Sequence, residues 1–225
     1  MMWIVTIVLY VLSCCTYAQH HEEIFSNIYH HGIWGTNAQG EGHSGGGSTV
    51  EHTQQYVQFL QRFMKEKNVT SVVDAGCGDW EFSRFINWSG IAYRGYDVVL
   101  SVIEKNRRQF SQENIQFFHT NILNTEFPHA DLLICKHVLQ HLPNADIVTF
   151  IRRHCSRFKY CIITNEVDPK TLSSNNSDIT VGKTHSIDLN KPPFSLVGYK
   201  ALTYYIHHVP HQVFVIDNSG NSLRK

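Results

Sequence analysis

The chain has no excess charge of either sign. Nineteen Lys and Arg balance nineteen Asp and Glu in 225 residues, and charged residues make up only 17%, against roughly a quarter in ordinary soluble domains. This argues against a broad basic face for nucleic acid and against a polybasic membrane surface, and favours small or neutral partners. Cysteine is sparse: six residues with no C-x-x-C spacing, so neither a zinc-ligand pattern nor a disulfide-only mini-protein is present. No His-Glu-x-x-His sequence and no internal repeat occurs. No apolar run reaches the ~20 residues that span a bilayer. What remains is 42% hydrophobic and 12% aromatic, enough for one domain with a real core. Histidine is abundant, at fifteen.

Residues 1–18 carry no Lys, Arg, Asp or Glu and run apolar from Trp3 to Leu12 before Thr16-Tyr17-Ala18. They read as a signal peptide cleaved after Ala18, with an uncleaved membrane anchor as the alternative. Cleavage leaves Cys77, Cys135, Cys155 and Cys161. The last two are close enough in sequence to bridge, and buried free thiols are the other reading. Sequons at Asn68, Asn87 and Asn175 fit a secreted glycoprotein.

Residues 19–49 are polar, histidine-rich and glycine-rich, and are expected to form a loop or lid. The domain proper then runs over 50–225. Ser48-Thr-Val-Glu51 has the form of a capping box, and Tyr56, Val57, Leu60, Phe63 and Met64 predict a helix from about 50 to 66. Apolar runs then alternate with helical patterns. Strands are expected at 71–74, 92–96, 115–119, 131–135 and 160–164, and helices at 81–87, 98–110 and 146–157. This alternation means βαβ units and a parallel sheet. Two further apolar runs, 201–206 and 213–216, are close enough to pair as an antiparallel hairpin.

The first strand ends in Val72-Val-Asp-Ala-Gly-Cys-Gly-Asp-Trp80. Gly76 and Gly78 let a ligand approach the backbone at a strand-to-helix turn. Asp97, nineteen residues on at the end of the second strand, can accept both ribose hydroxyls. A dinucleotide site would want a third glycine where Glu81 stands, and Tyr-x-x-x-Lys is missing. A ligand with a ribose and no phosphates fits better, and S-adenosylmethionine is such a ligand.

On these residues the chain resembles class I S-adenosylmethionine-dependent methyltransferases. The resemblance implies a Rossmann-like, doubly wound α/β sheet of seven strands, order 3-2-1-4-5-7-6, with the last strand antiparallel. It also implies S-adenosyl-L-methionine as cofactor. Asp74, Gly76 and Gly78 would line its methionine and ribose side, Asp97 would hold the ribose hydroxyls, Asn121 with Ile122 would face the adenine, and Cys77, Val98 and Lys136 would be further cofactor-binding residues. More narrowly, Ile28-Tyr29, Trp34-Gly35, Ser44-Gly-Gly-Gly-Ser-Thr49, Cys77-Gly-Asp79 and Ile187-Asp-Leu-Asn-Lys-Pro-Pro-Phe194 look like a little-characterised, mostly bacterial group of such enzymes. The third family glycine is replaced by Trp80, expected to wall the cofactor pocket. The adenine carboxylate is replaced by Asn121, whose amide oxygen can still accept from the exocyclic amine.

His137, His141 and Glu166 are the candidate bases, with His137 first, because they follow strands 4 and 5 at the sheet's carboxyl edge. Trp34, Tyr29 and the 40–47 loop are expected to form a lid, and residues 168–199 to shape the acceptor site. Gly42-His-Ser-Gly-Gly46 matches a serine-hydrolase elbow, but the residues before Ser44 are too polar for the strand that motif requires. The same glycine run lacks the lysine of a phosphate loop. Gln19-His20-His21 would suit copper or nickel at a free amino terminus, with a plain polar terminus as the alternative; no metal is expected. The functional expectation is methyl transfer to an unidentified small molecule, glycan or protein in the secretory route, with no bulk nucleic acid as partner. A cofactor-binding module without turnover and a hydrolase using Ser44 are the alternatives.

Overall fold

The computed structural model describes residues 19–172 and 176–220. The leader and Asn175 lie outside them. In the described part a helix α1 (residues 19–30) is followed by α2 (Val50–Glu66), β1 (Ser71–Ala75), β2 (Ala92–Asp97), α3 (Leu100–Phe110), β3 (Ile115–His119), β4 (Leu132–Lys136), α4 (Asn144–Phe150), β5 (Tyr160–Glu166), β6 (Tyr199–Ile206) and β7 (Val209–Asp217). The seven strands form one sheet of order β3-β2-β1-β4-β5-β7-β6, with β7 antiparallel to both neighbours. This is the expected fold. Among the described residues no helix is long and apolar enough to cross a membrane.

Period-two alternation sorts the strand residues onto two cores. Val73, Ala75, Leu133, Cys135, Cys161 and Ile163 pack on one face with Phe25, Ile28 and Tyr29 of α1 and Ile147 and Phe150 of α4. Val72, Leu132, Ile134 and Ile162 pack on the other with Tyr56, Phe59, Leu60 and Phe63 of α2. Full burial of such side chains contributes roughly 1.5–3 kcal/mol each. The same parity puts Asp74 and Lys136 on the α2 side. The β6–β7 hairpin turns on His207 and His208, both with positive φ, as a two-residue hairpin turn of the primed type requires.

Several local expectations differ from the structure. Residues 19–30 are helical because His21, Phe25, Ile28 and Tyr29 recur at helical spacing on a buried stripe, with no glycine or proline among them. The helix α2 is capped one residue later than expected, Thr49 Oγ1 accepting from the His52 amide. The helix expected over 81–87 shrinks to a 3₁₀ turn at Ser83–Phe85. The helix expected over 146–157 is α4 followed by a π-helical turn at Ile151–Cys155. All four described cysteines are buried, and the Cys161 thiol faces the Cys155 carbonyl oxygen at 3.2 Å, so the possible bridge between these two is not made.

Candidate active site

The cavity at the carboxyl ends of β1, β2 and β4 begins with the turn after β1. The Gly76 and Cys77 amides both donate to the Tyr96 carbonyl oxygen, at 2.8 and 3.0 Å, tying this turn to β2. Gly76 and Gly78 have φ of +84° and +54°. A Cβ on Gly76 would lie 2.3 Å from Val138, and one on Gly78 2.3 Å from Ser44 Oγ, so only glycine fits at either place. Two positions on, Trp80 keeps the left-handed backbone of the glycine it replaces, at φ +57°. For a bulky residue that costs roughly 1–2 kcal/mol. Burial of its indole against Tyr93, Phe110 and Phe117 opposes this cost.

Trp80 is therefore a core residue and does not wall the pocket. Cys77 likewise turns its thiol into the core beside Gly95. Asp74 does not line the cavity either. On the α2 side of the sheet it accepts a 2.7 Å hydrogen bond from Tyr93 Oη. Burial pushes its carboxyl up to about 7.

Asp97 is where the sequence pattern places it. One carboxylate oxygen accepts from the Gly78 amide and the other from the Val99 amide, each at 3.0 Å. Burial raises its pKa while these backbone bonds oppose the rise. A carboxylate offers about four acceptor positions, so two remain for ligand hydroxyls. Val98, Val99, Ile122 and Leu123 supply apolar walls, and Asn121 joins them. The Asn121 side-chain oxygen is already taken by the Leu123 amide at 2.9 Å, whereas its Nδ2 is buried without a partner. Asn121 thus offers a donor suited to a ring nitrogen, and its oxygen keeps a second lone pair for the exocyclic amine.

The helix α1 roofs this cavity with His21, Phe25 and Tyr29. His21 Nε2 sits 2.9 Å from Asp146 Oδ2 of α4, so this imidazole is engaged inside the fold. Tyr29 Oη meets Ser44 Oγ at 2.7 Å, Ser44 Oγ donates to Asp79 Oδ1 at 2.8 Å, and the Asp79 amide donates back to Ser44 Oγ at 2.9 Å. Ser44 is a clamp between the roof and the glycine turn, not the elbow of a hydrolase. The space enclosed, mouth included, is about 680 Å³, within the roughly 300–1,000 Å³ of small-molecule sites.

A second cavity of about 800 Å³, mouth included, adjoins the first and shares Trp34, His137 and His141 with it. Its other walls include Gly45, Gly46, Gly47, Glu166, Thr184, His207 and His211. The three candidate bases all face it, and Glu166 faces this cavity alone. The His141 ring lies 4.6 Å from the Trp34 ring, with Nδ1 against the Lys183 carbonyl oxygen and the Thr184 hydroxyl, and burial lowers its pKa to about 4. Glu166 Oε1 accepts from Ser186 Oγ at 2.9 Å. His137, at φ +55°, presents Nε2 3.5 Å from Tyr204 Oη, and its ring lies 4.7 Å from that of His211. Burial holds His137 neutral, its pKa well below the usual range. Lys136 lines the first cavity. Its Nζ donates to the Gly47 carbonyl oxygen at 2.7 Å, and burial brings its pKa down to about 7.

Sequence reasoning missed His207, His211 and Thr184. The cluster of imidazoles at the last hairpin was the available signal.

With this geometry in place, comparison with known proteins is informative. Residues 72–159 match the family described as "Methyltransferase domain", which supports a methyltransferase. No curated protein matches the chain. Among solved structures, magnesium protoporphyrin IX methyltransferase from Synechocystis PCC 6803 with bound SAM is 17% identical at TM-score 0.57, covering 87% of this chain and 95% of that one. The N-methyltransferase NodS from Bradyrhizobium japonicum WM9, in complex with S-adenosyl-L-homocysteine, is 13% identical at TM-score 0.58, covering 76% of this chain and 89% of that one. At such identities the likeness is one of fold: the Rossmann-like methyltransferase sheet. The cofactor of this fold class is S-adenosylmethionine, and the residues present fit it. Asp97 keeps two acceptor positions, Asn121 Nδ2 is an orphaned donor beside apolar walls, and Gly76 and Gly78 leave space that a Cβ would fill. The lining contains one cation, Lys136, and no cluster of them for a pyrophosphate.

Proposed function

We propose that the protein methylates a protic acceptor held in the second cavity, using S-adenosylmethionine held in the first. The observation that carries this reading is that the two cavities meet at Trp34, His137 and His141. When bound, the cofactor supplies an electrophilic methyl group on a sulfonium, open to in-line attack. The protein's part is alignment and exclusion of water. Asp97, Asn121 and the glycine turn orient the nucleoside, α1 roofs it, and His137 stands at the junction to take the acceptor's proton. The second cavity is lined by imidazoles and glycine backbone, with Glu166 as its carboxylate and no Lys or Arg, which suits a neutral small molecule or sugar hydroxyl better than an anion.

The reading places this activity in the secretory route, with the leader cleaved after Ala18. Asn68 and Asn87 are both exposed, as glycan acceptors must be. Mass analysis of the protein from its native host should give a chain starting at Gln19, and a chain retaining Trp3 would replace secretion with anchoring. For the activity, calorimetry with S-adenosylmethionine and S-adenosylhomocysteine should show 1:1 binding, and no binding below millimolar would overturn the assignment. Tritiated methyl should then pass into an acceptor fraction of a secretome. Binding without transfer would reduce the protein to a cofactor-binding module.

A further inference from the structure

Where the two cavities meet, a buried lysine touches the imidazole at the junction. Lys136 is only 7% exposed, and its Nζ lies over the rings of Phe82 and Tyr56, at 4.9 and 5.5 Å. One of its N–H groups is spent on the Gly47 carbonyl oxygen. Its other polar contact is His137 Nδ1, 3.3 Å away. The carboxylate whose charge acts on it is Asp74, on the same face of the neighbouring strand β1.

A neutral imidazole has one N–H and one lone pair, so this contact decides which nitrogen faces the second cavity as a base. If Lys136 is an ammonium, it donates to Nδ1, and Nε2 carries the hydrogen and cannot accept a proton. If Lys136 is an amine, it accepts from Nδ1–H, and the Nε2 lone pair points toward Tyr204 Oη and the cavity.

We propose that Lys136 is the positioning residue that sets the tautomer of His137, and that the pair together takes up the proton of a hydroxyl acceptor. The proposal rests on the methyl-transfer reading above. In the step, the acceptor oxygen forms its bond to the methyl carbon as the carbon–sulfur bond breaks, the electron pair staying on sulfur. The hydroxyl proton goes to His137 Nε2, and the proton on Nδ1 passes to Lys136 Nζ, which becomes the ammonium. Charge and protons balance with no further reactant.

The surroundings agree with this assignment. Besides Asp74, the titratable groups facing the pair are Tyr56 of α2, His141 after β4, Tyr204 of β6 and His211 of β7, and His52 of α2 acts in turn on His211. Burial keeps His137 and His211 neutral, and brings Lys136 to about 7, where the amine is available. Gly47 fixes the pair from the other side, since a Cβ there would lie 2.5 Å from His137 Nδ1.

The test needs no acceptor. In protein labelled with ¹⁵N-histidine, long-range proton–nitrogen spectra report the tautomer of each ring, and His137→Asn, which tolerates the left-handed backbone, identifies the signals of His137. The ring should remain neutral from pH 5.5 to 8.5, changing from Nε2–H to Nδ1–H with a midpoint near 7. In Lys136→Arg, permanently charged, it should stay Nε2–H at every pH. In Lys136→Met the crossover should vanish. A single tautomer in the wild type across this range, or a crossover surviving in either variant, overturns the proposal. The wild-type titration stands even if a variant fails to fold. Calorimetry with S-adenosylmethionine is a separate readout, so loss of the methyl-transfer reading is distinguishable from loss of the pair.

Discussion

The two cavities that meet at His137 are built differently. The first has a floor of backbone, with Gly76, Gly78 and the amides that hold Asp97 all lying within about two dozen residues of sequence. The second is assembled from the 34–47 loop, the turn after β4, the end of β5, Thr184 and the last hairpin, each contributing one to four side chains. A site made of backbone geometry is shape-specific for one ligand. A site made of scattered side chains can be revised one residue at a time. In the function proposed above, the fixed site would hold the cofactor and the revisable one would face the acceptor.

This contrast can be broken experimentally. The largest effect is expected from Asp97→Ala, which removes charge-assisted bonds worth roughly 1.5–3 kcal/mol each. Affinity for S-adenosylmethionine should fall about 100-fold or more by calorimetry. Wild-type affinity would remove Asp97 from the site. Gly47→Ala should do the reverse, displacing His137 and lowering methyl transfer about 10- to 100-fold with cofactor affinity unchanged. Equal losses in both quantities would mean that the cavities are not separable.

Acid should weaken the second cavity's wall. His141 and His211 both have folded pKa values of about 4, against about 6.5 unfolded. Between pH 6.5 and 4 the unfolded chain takes up protons that the folded one refuses, so stability is full above about 6.5 and is lost as pH falls toward 4. Denaturant titrations across that window should show the loss, with a slope about one proton shallower in His211→Gln. An unchanged slope would mean that His211 is already exposed to solvent. The smallest effect is expected at Asn121→Ala, about 3- to 10-fold in cofactor affinity, as befits one neutral hydrogen bond.

Legibility in the sequence followed the same divide. The strand alternation, the hairpin, Gly76, Gly78 and Asp97 were readable because each is a pattern within one short segment. Trp80 was misread because residue type says nothing of direction. Its left-handed backbone swings the indole into the core beside Tyr93. Asp74 was misread by parity, since it shares the α2 side with Val72. The helix α1 was hidden by composition: the histidines and polar residues masked a stripe of His21, Phe25, Ile28 and Tyr29. Neither His211 nor Thr184 could be joined to His137 without tertiary structure, as nothing local connects them.

The roof has a consequence for the order in which the molecule is completed. The contact that fixes α1 across the cavity joins His21 to Asp146, 125 residues apart. A chain synthesised at about 5–20 residues per second exposes α1 for roughly 6–25 s before its partner exists. For the first part of that interval, before β1 and β4 are made, Phe25 and Ile28 have no sheet to cover. The N-terminal helix is thus an early product and a late participant. Nascent chains arrested before α4 should bind chaperones through this apolar stripe, and those arrested after β7 should not.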